Sequence, residues 1–236
     1  VDGGAWFYLY NESSASFVNS TVSGNTAGDY EGWALWAGGS SSGDHGTLTV
    51  RNSTVTDNTG IVGLGFEVVT GVVSHTIVAG NHIVDPVDYA FNGEVWIGSY
   101  QGTDTDVSVE WSILGDITDQ TAGAGYTEGP GVTTGVTDPG LGPLADNGGP
   151  TLTHLPASNS PSVDAGDPAV AGAPATDQRG QARIQGAAID IGAVEMQPQL
   201  AATGTDAMGA WWAGALLLVL GAGTLAGGRT LRRRTA

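Results

Sequence analysis

The chain has 236 residues, enough for one large or two small domains, and 40% of them are hydrophobic, which excludes wholesale disorder. It contains no cysteine, which removes disulfides and thiolate metal sites, and no lysine, which removes a P-loop. Seven arginines face 24 acidic residues, giving a formal charge of -17, and four of those arginines lie in the last eight positions. The remaining body is a polyanion that repels nucleic acid and anionic lipid. Its bland reading is a solvated, aggregation-resistant surface.

The chain opens on Val1-Asp-Gly-Gly-Ala-Trp6, without a basic or apolar leader, so further chain, including any signal peptide, is expected before it. Residues 1–120 are then organised by four similar segments. They are Phe17-Val-Asn-Ser-Thr-Val-Ser-Gly-Asn25, Val50-Arg-Asn-Ser-Thr-Val-Thr-Asp-Asn58, Ser74-His-Thr-Ile-Val-Ala-Gly-Asn81 and Glu110-Trp-Ser-Ile-Leu-Gly-Asp116. Superposing Asn19, Asn52, His75 and Trp111 aligns them, with variable insertions between repeats, which is the mark of a solenoid. In each, β-branched residues alternate with small polar ones and a Gly/Asp-Asn corner ends the strand. Val22, Val55, Val78 and Leu114 are expected to point inward, and Asn25, Asn58 and Asn81 to stack as an amide ladder. The fold expected is all-β, a right-handed parallel β-helix (solenoid) with a C-terminal cap, followed by a single transmembrane helix. A β-sandwich of short strands is the competing architecture.

The longer spacings read as loops leaving the coil. One, residues 27–46, carries Tyr30, Trp33 and Trp36; another, residues 83–106, carries Tyr89, Phe91, Trp96 and Tyr100 among carboxylates. Aromatics beside carboxylates suit a sugar-binding groove, so Trp33, Trp36, Tyr89, Trp96 and Tyr100 are the candidates for carbohydrate contact. The competing role for these rings is packing beneath their own loops. Paired carboxylates for glycoside hydrolysis would be Asp104 with Asp106, Asp85 with Asp88, or Asp116 with Asp119, although acidic loops produce such pairs freely. No catalytic residue is assigned. Gly39-Ser-Ser-Ser-Gly43 matches a nucleophile-elbow pattern but lacks the strand-turn-helix context, and reads as a low-complexity loop. His45, His75, His82 and His154 are scattered and read as corner or surface residues.

Residues 121–137 form a Gly/Thr-rich connector, and residues 138–195 a module punctuated by Pro139, Pro143, Pro150 and Pro161. This module is expected to cover the open end of the stack. Arg179 and Arg183 are its only cations, each expected to pair with a carboxylate such as Asp164, Asp167, Asp177 or Asp190. Asp164 and Asp167 are the candidates for calcium, without EF-hand spacing, and no other cofactor is expected. The phrases Asp138-Pro-Gly-Leu-Gly-Pro-Leu-Ala-Asp-Asn-Gly-Gly-Pro, Asn159-Ser-Pro-Ser-Val-Asp-Ala-Gly-Asp167, Thr176-Asp-Gln-Arg-Gly180 and Gly186-Ala-Ala-Ile-Asp-Ile-Gly-Ala-Val-Glu195 resemble the C-terminal region of choice-of-anchor Q proteins. The resemblance implies a surface β-helix protein and brings no catalytic residues with it.

Residues 196–236 carry three features in order. Leu200-Ala201-Ala202-Thr203-Gly204 is followed by an uncharged run, residues 207–228, and then by a basic tail, residues 229–236, with Arg229, Arg232, Arg233 and Arg234. About 20 apolar helical residues span the ~30 Å hydrocarbon core. The arginines would stay on the cytoplasmic side, and Trp211 and Trp212 near the outer interface. A plain membrane anchor explains the last two features and not the first. The full order resembles a sortase cell-wall sorting signal of the Leu-Ala-x-Thr-Gly type used by class E sortases. That resemblance implies cleavage between Thr203 and Gly204, transfer to peptidoglycan, and only a transient stay in the membrane. The expected protein is therefore secreted, cell wall-anchored and extracellular, with a structural or adhesive ectodomain. Its partners would be sortase, peptidoglycan and a polysaccharide or neighbouring surface ligand, with no nucleic acid. A glycosidase-like enzyme displayed on the wall is the alternative.

Overall fold

The computed structural model describes residues 4–27, 32–40, 45–84, 93–121, 125–167, 169 and 173–197. Residues Val1–Gln197 form one compact unit. The described residues are all-β, without helix. The chain runs in circuits. The first holds β1 (Ala5–Tyr8), β2 (Ser14–Val18) and β3 (Thr21–Ser23). The second holds β4 (Trp33–Gly38), β5 (Thr47–Arg51), β6 (Thr54–Thr56) and β7 (Thr59–Gly60). The third holds β8 (Val62–Glu67), β9 (Thr70–Ser74), β10 (Ile77–Val78) and β11 (His82–Ile83). The fourth holds β12 (Gly93–Gly98), β13 (Asp106–Glu110) and β14 (Ile113–Leu114), and β15 (Ile117–Asp119) and β16 (Tyr126–Glu128) follow. An antiparallel pair, β17 (Leu141–Ala145) and β18 (Thr153–Pro156), closes the set.

Each circuit adds one strand to the same sheets. The first sheet is ordered β1-β4-β8-β12-β15, the second β2-β5-β9-β13-β16 and the third β3-β6-β10-β14. Every pairing within these three sheets is parallel. That excludes the β-sandwich reading, whose sheets are antiparallel. Period-two alternation sends one set of side chains to a common core. On the first sheet Ala5, Leu35, Leu64 and Val95 share one register, and Phe7, Ala37, Phe66 and Ile97 the next. On the second, Ala15, Leu48, Gly71 and Val107 are in line. Gly71 is small because Phe66 fills its space: a Cβ there would come within 2.7 Å of the ring. Val55, Val78 and Leu114 of the third sheet are fully buried in the same core, and Val22 packs against it. These four are the positions expected to face inward.

The bend between second and third sheets is two residues long and repeats. Asn19, Asn52, His75 and Trp111 all hold positive φ there, between 45° and 50°. Asparagine tolerates that conformation best, and the short polar side chains explain the recurring Asn. The next residue carries a hydroxyl in every circuit. Ser20, Ser53, Thr76 and Ser112 each donate to the carbonyl two residues back. After the third sheet the amide ladder forms as expected. Asn25 Nδ2 donates to Asn58 Oδ1 at 2.8 Å, and Asn58 Nδ2 donates to Asn81 Oδ1 at 2.8 Å.

Residues 138–197 do not lie over an end of the stack, as the solenoid argument expected. They run along the outer side of the third sheet, across successive circuits. Asn19 Nδ2 donates to the Thr176 carbonyl, Ala193 N to Thr54 Oγ1, and Gly192 N to the His75 carbonyl. Ile191 packs with Ile77 and Ile113. The reason is physical: Ile77 and Ile113 leave an apolar stripe on the outside of the sheet that needs a cover. Arg179 pairs with buried Asp177 at 2.9 Å, as expected. Arg183 does not form such a pair. Its guanidinium, 1% exposed, donates to the carbonyls of Gly192, Asn52 and Ala193 and to Asn19 Oδ1. The two terminal nitrogens match a cage of carbonyls better than a single carboxylate would, while the buried Nε has no partner among the described residues.

Candidate functional site

The outward face of the first sheet concentrates the aromatic side chains. Trp33 and Trp36 lie on β4 and Trp96 on β12, so they belong to strands, not to loops leaving the coil. The loop expectation failed because Gly38, Gly65 and Gly98 break the hydrophobic alternation in these strands. Those glycines are required by the rings. A Cβ on Gly38 would stand 1.9 Å from the Trp36 ring, one on Gly98 1.9 Å from the Trp96 ring, and one on Gly65 2.4 Å from Trp33. Trp33 and Trp96 meet edge to face with centroids 5.2 Å apart. Trp36 and Trp96 are 7% and 1% exposed, so they form a floor, while Tyr100 stands out at 53%. Tyr89 lies outside the described residues.

Three further rings complete this face and were not singled out from the sequence. Trp6 packs on Trp36 with centroids 5.6 Å apart, Tyr8 meets Trp36 edge-on at 5.3 Å, and Tyr10 stacks on Tyr8 at 6.1 Å. All three are exposed. Their signal was the period-two spacing 6, 8, 10, which puts alternate side chains on one face of a strand. Glu67 was missed too. It pairs in register with Gly38 on one side and Gly98 on the other. Glu67 is therefore placed between the two glycines over which the Trp36 and Trp96 rings lie. It has no hydrogen-bond or charged partner among the described residues, and burial pushes its pKa upward.

A second polar feature closes the amide ladder. Ile117 stands where a fourth asparagine would fall, and Glu94 takes over. Its carboxylate accepts from Asn81 N at 2.8 Å and from Asn81 Nδ2. Gly115 makes room, since a Cβ there would come 2.1 Å from Glu94 Cγ. Desolvation raises the Glu94 pKa, the Asn81 hydrogen bonds lower it, and nearby Asp116 raises it again. Both carboxylates line a cavity of about 350 Å³ with Asn81, Gly115, Thr118 and Thr137.

The other carboxylates and histidines have local duties. Asp119 Oδ1 accepts from Thr121 N and Oγ1. Asp106 opens β13, and Asp85 and Asp88 lie outside the described residues. Asp164 Oδ1 accepts from Ala188 N and Asp167 Oδ1 from Ala169 N. Among the described residues no three His, Asp or Glu side chains converge to hold a metal. His75 is a buried corner whose Nε2 accepts from Asp167 N, and burial lowers its pKa. His82 is exposed beside Asp57 at 3.5 Å, and His45 bridges Tyr10. His154 is neither corner nor surface. It is a buried residue of β18, with Nδ1 bonded to the Gly142 carbonyl and Nε2 to Ser23 Oγ, both at 2.7 Å. Gly39 and Ser40 follow β4, and the rest of that Gly-Ser run lies outside the described residues. So do Leu200, Ala201, Ala202, Thr203 and Gly204, the apolar run 207–228 and the basic tail. Among the described residues no helix is long and apolar enough to cross a membrane. A scan against family models, a search of curated proteins and a search of solved structures each return no match to this chain.

Proposed function

We propose that this is a secreted bacterial surface protein of the choice-of-anchor Q type, joined to peptidoglycan by a sortase. Residues 4–197 act as its structural and adhesive display module, a right-handed parallel β-helix with a C-terminal segment clasped along its side. The parallel register of three sheets and the repeated positive-φ corner support the β-helix, and right-handed crossovers are the rule for parallel strands. The observation that carries the anchoring is the order of residues 200–234: pentapeptide, then uncharged run, then arginines. Sortase would cleave the Thr203–Gly204 bond and pass the Thr203 carbonyl to a peptidoglycan amine. The run 207–228 would hold the chain in the membrane only until then.

The test is Thr203→Ala in a host carrying the sortase. The variant should leave the covalent wall fraction, purified as boiled sacculi, and accumulate in membranes. A variant still bound covalently to sacculi would refute the anchoring. A displayed glycosidase is the second reading, and the Glu94–Asp116 cavity is the observation that favours it. New reducing ends from a neutral polysaccharide, abolished by Asp116→Asn, would establish it in place of the adhesive role.

A further inference from the structure

We infer that the outer face of the first sheet binds a neutral polysaccharide chain, with Glu67 as its polar anchor and the exposed rings of Trp6, Tyr8 and Tyr10 as its apolar platform. The inference deepens the adhesive reading above. It does not depend on the anchor, because binding is read on isolated protein and wall attachment on sacculi.

Three observations point to this occupant. First, the arrangement pairs an acceptor with apolar platforms. Glu67 stands on the middle strand of three, flanked by glycines whose space is taken by the Trp36 and Trp96 rings. Tyr8 shares the register of Gly38 and Glu67, and strand spacing puts it about 10 Å from Glu67 across the face. A sugar offers the complement: hydroxyls that donate to a carboxylate, and C–H faces that lie on an indole or phenol. Exposed Trp6, Tyr8 and Tyr10 form that platform towards the β1 edge, over the buried Trp36 ring, so more than one sugar residue can lie along it.

Second, two polar groups on this face have no protein partner. The Glu67 carboxylate is half-buried and unpaired among the described residues, and the buried Trp36 Nε1 has no acceptor. Each is costly for the fold alone, and uncompensated costs of this kind gather at functional surfaces. A hydroxyl-rich ligand satisfies the carboxylate, which keeps acceptor capacity for two donors.

Third, charge selects the ligand class. The described arginines are Arg51 on the second sheet and Arg179 and Arg183 in the clasp, so none lies on the first sheet. A lone carboxylate in a polyanionic protein repels uronates, sulfates and phosphates. The polysaccharide is therefore neutral.

The experiment is affinity electrophoresis of the whole chain in mild detergent, through native gels containing glucomannan, dextran or polygalacturonate. At least one neutral polymer should retard the protein and polygalacturonate should not. Glu67→Gln, which removes one charged acceptor, should weaken binding about tenfold. Tyr8→Ala should weaken it by a similar factor, and Ser16→Ala on the second sheet should leave it unchanged. Circular dichroism of each variant should match the parent, since Glu67, Tyr8 and Ser16 are not core residues. Absence of retardation by both neutral polymers would overturn the inference. So would retardation by polygalacturonate alone, or neutral-polymer binding that survives both Glu67→Gln and Tyr8→Ala.

Discussion

Asn58 is the middle rung of the amide ladder, and removing its side chain should cost more than removing a rung at the end. Its Oδ1 accepts from Asn25 N and Asn25 Nδ2. Its Nδ2 donates to Asn81 Oδ1 and to the carbonyls of Val22 and Thr56. Asn58→Ala leaves Asn25 N without its acceptor, leaves Asn25 Nδ2 only the long 3.5 Å bond to the Ser23 carbonyl, and strips a donor from three oxygens. A buried orphaned donor costs ~1–3 kcal/mol and each lost neutral hydrogen bond ~0.5–1.5 kcal/mol, so the sum is about 3 kcal/mol after partial relaxation. At ~2–4 °C per kcal/mol for a domain of this size, Tm should fall by roughly 6–12 °C. Asn25→Ala removes only the end donor and should cost about 1 kcal/mol. Asn58→Asp should cost more than Asn58→Ala at neutral pH, because an anionic oxygen would face three acceptors. Its penalty should shrink as the pH falls, since protonation restores one donor. The assay is urea unfolding followed by circular dichroism, comparing midpoints at constant slope. Equal destabilisation by Asn58→Ala and Asn25→Ala would refute the ladder as a cooperative support.

Arg183→Met should destabilise the protein by about 3 kcal/mol or more, because it empties a carbonyl cage beside Asp177, Asp190 and Glu195. Limited proteolysis should then cut first in residues 138–197, and Arg183→Lys should not restore resistance, since a point charge cannot fill a fork. Stability should also fall as pH rises. Burial pushes the Glu195 carboxyl up to about 7, so the folded state holds its proton more tightly than the unfolded chain does. Between the ordinary carboxylate range and that value the folded state binds more protons, and the unfolding free energy declines with pH, flattening above it. Because the lowered His75 pKa acts in the opposite sense, the check is the Tm of the parent minus that of Glu195→Gln from pH 5 to pH 8; a difference that rises across that window would refute it.

The parts of the fold that were legible share one cause: they repeat. Asn19, Asn52, His75 and Trp111 could be aligned from neighbouring residues alone, and all four occupy the same positive-φ corner although two are not asparagine. Val22, Val55, Val78 and Leu114 followed from that alignment. The first sheet was not read from the sequence, because the phrase its strands share, Trp36-Ala-Gly38 in β4 and Trp96-Ile-Gly98 in β12, is absent from β8 between them. Neighbouring strands are matched through complementary volume, Gly65 of β8 yielding to the Trp33 ring of β4, and volume matched between strands far apart in the chain leaves no local pattern. Glu94 was equally hidden, since it completes the ladder from β12 and is not a fourth Asn. The clasp had a strong local signature of Pro and Gly phrases. Its docking depends on contacts such as Arg183 to Asn19, far apart in the chain, and composition does not report where a loop-rich segment lands.

The lateral course of that segment has a mechanical consequence. Traction on the chain just beyond Gln197 reaches residues 190–196 before it reaches any strand of the three parallel sheets. There it meets the Arg179 bond to the Glu195 carbonyl, the Arg183 cage and the Gly192 bond to His75. These contacts tie residues 190–196 to the second and third circuits through Asn52, Thr54 and His75, and Arg183 also reaches Asn19 of the first. The load thus falls on bonds to three circuits before it can open the last circuit.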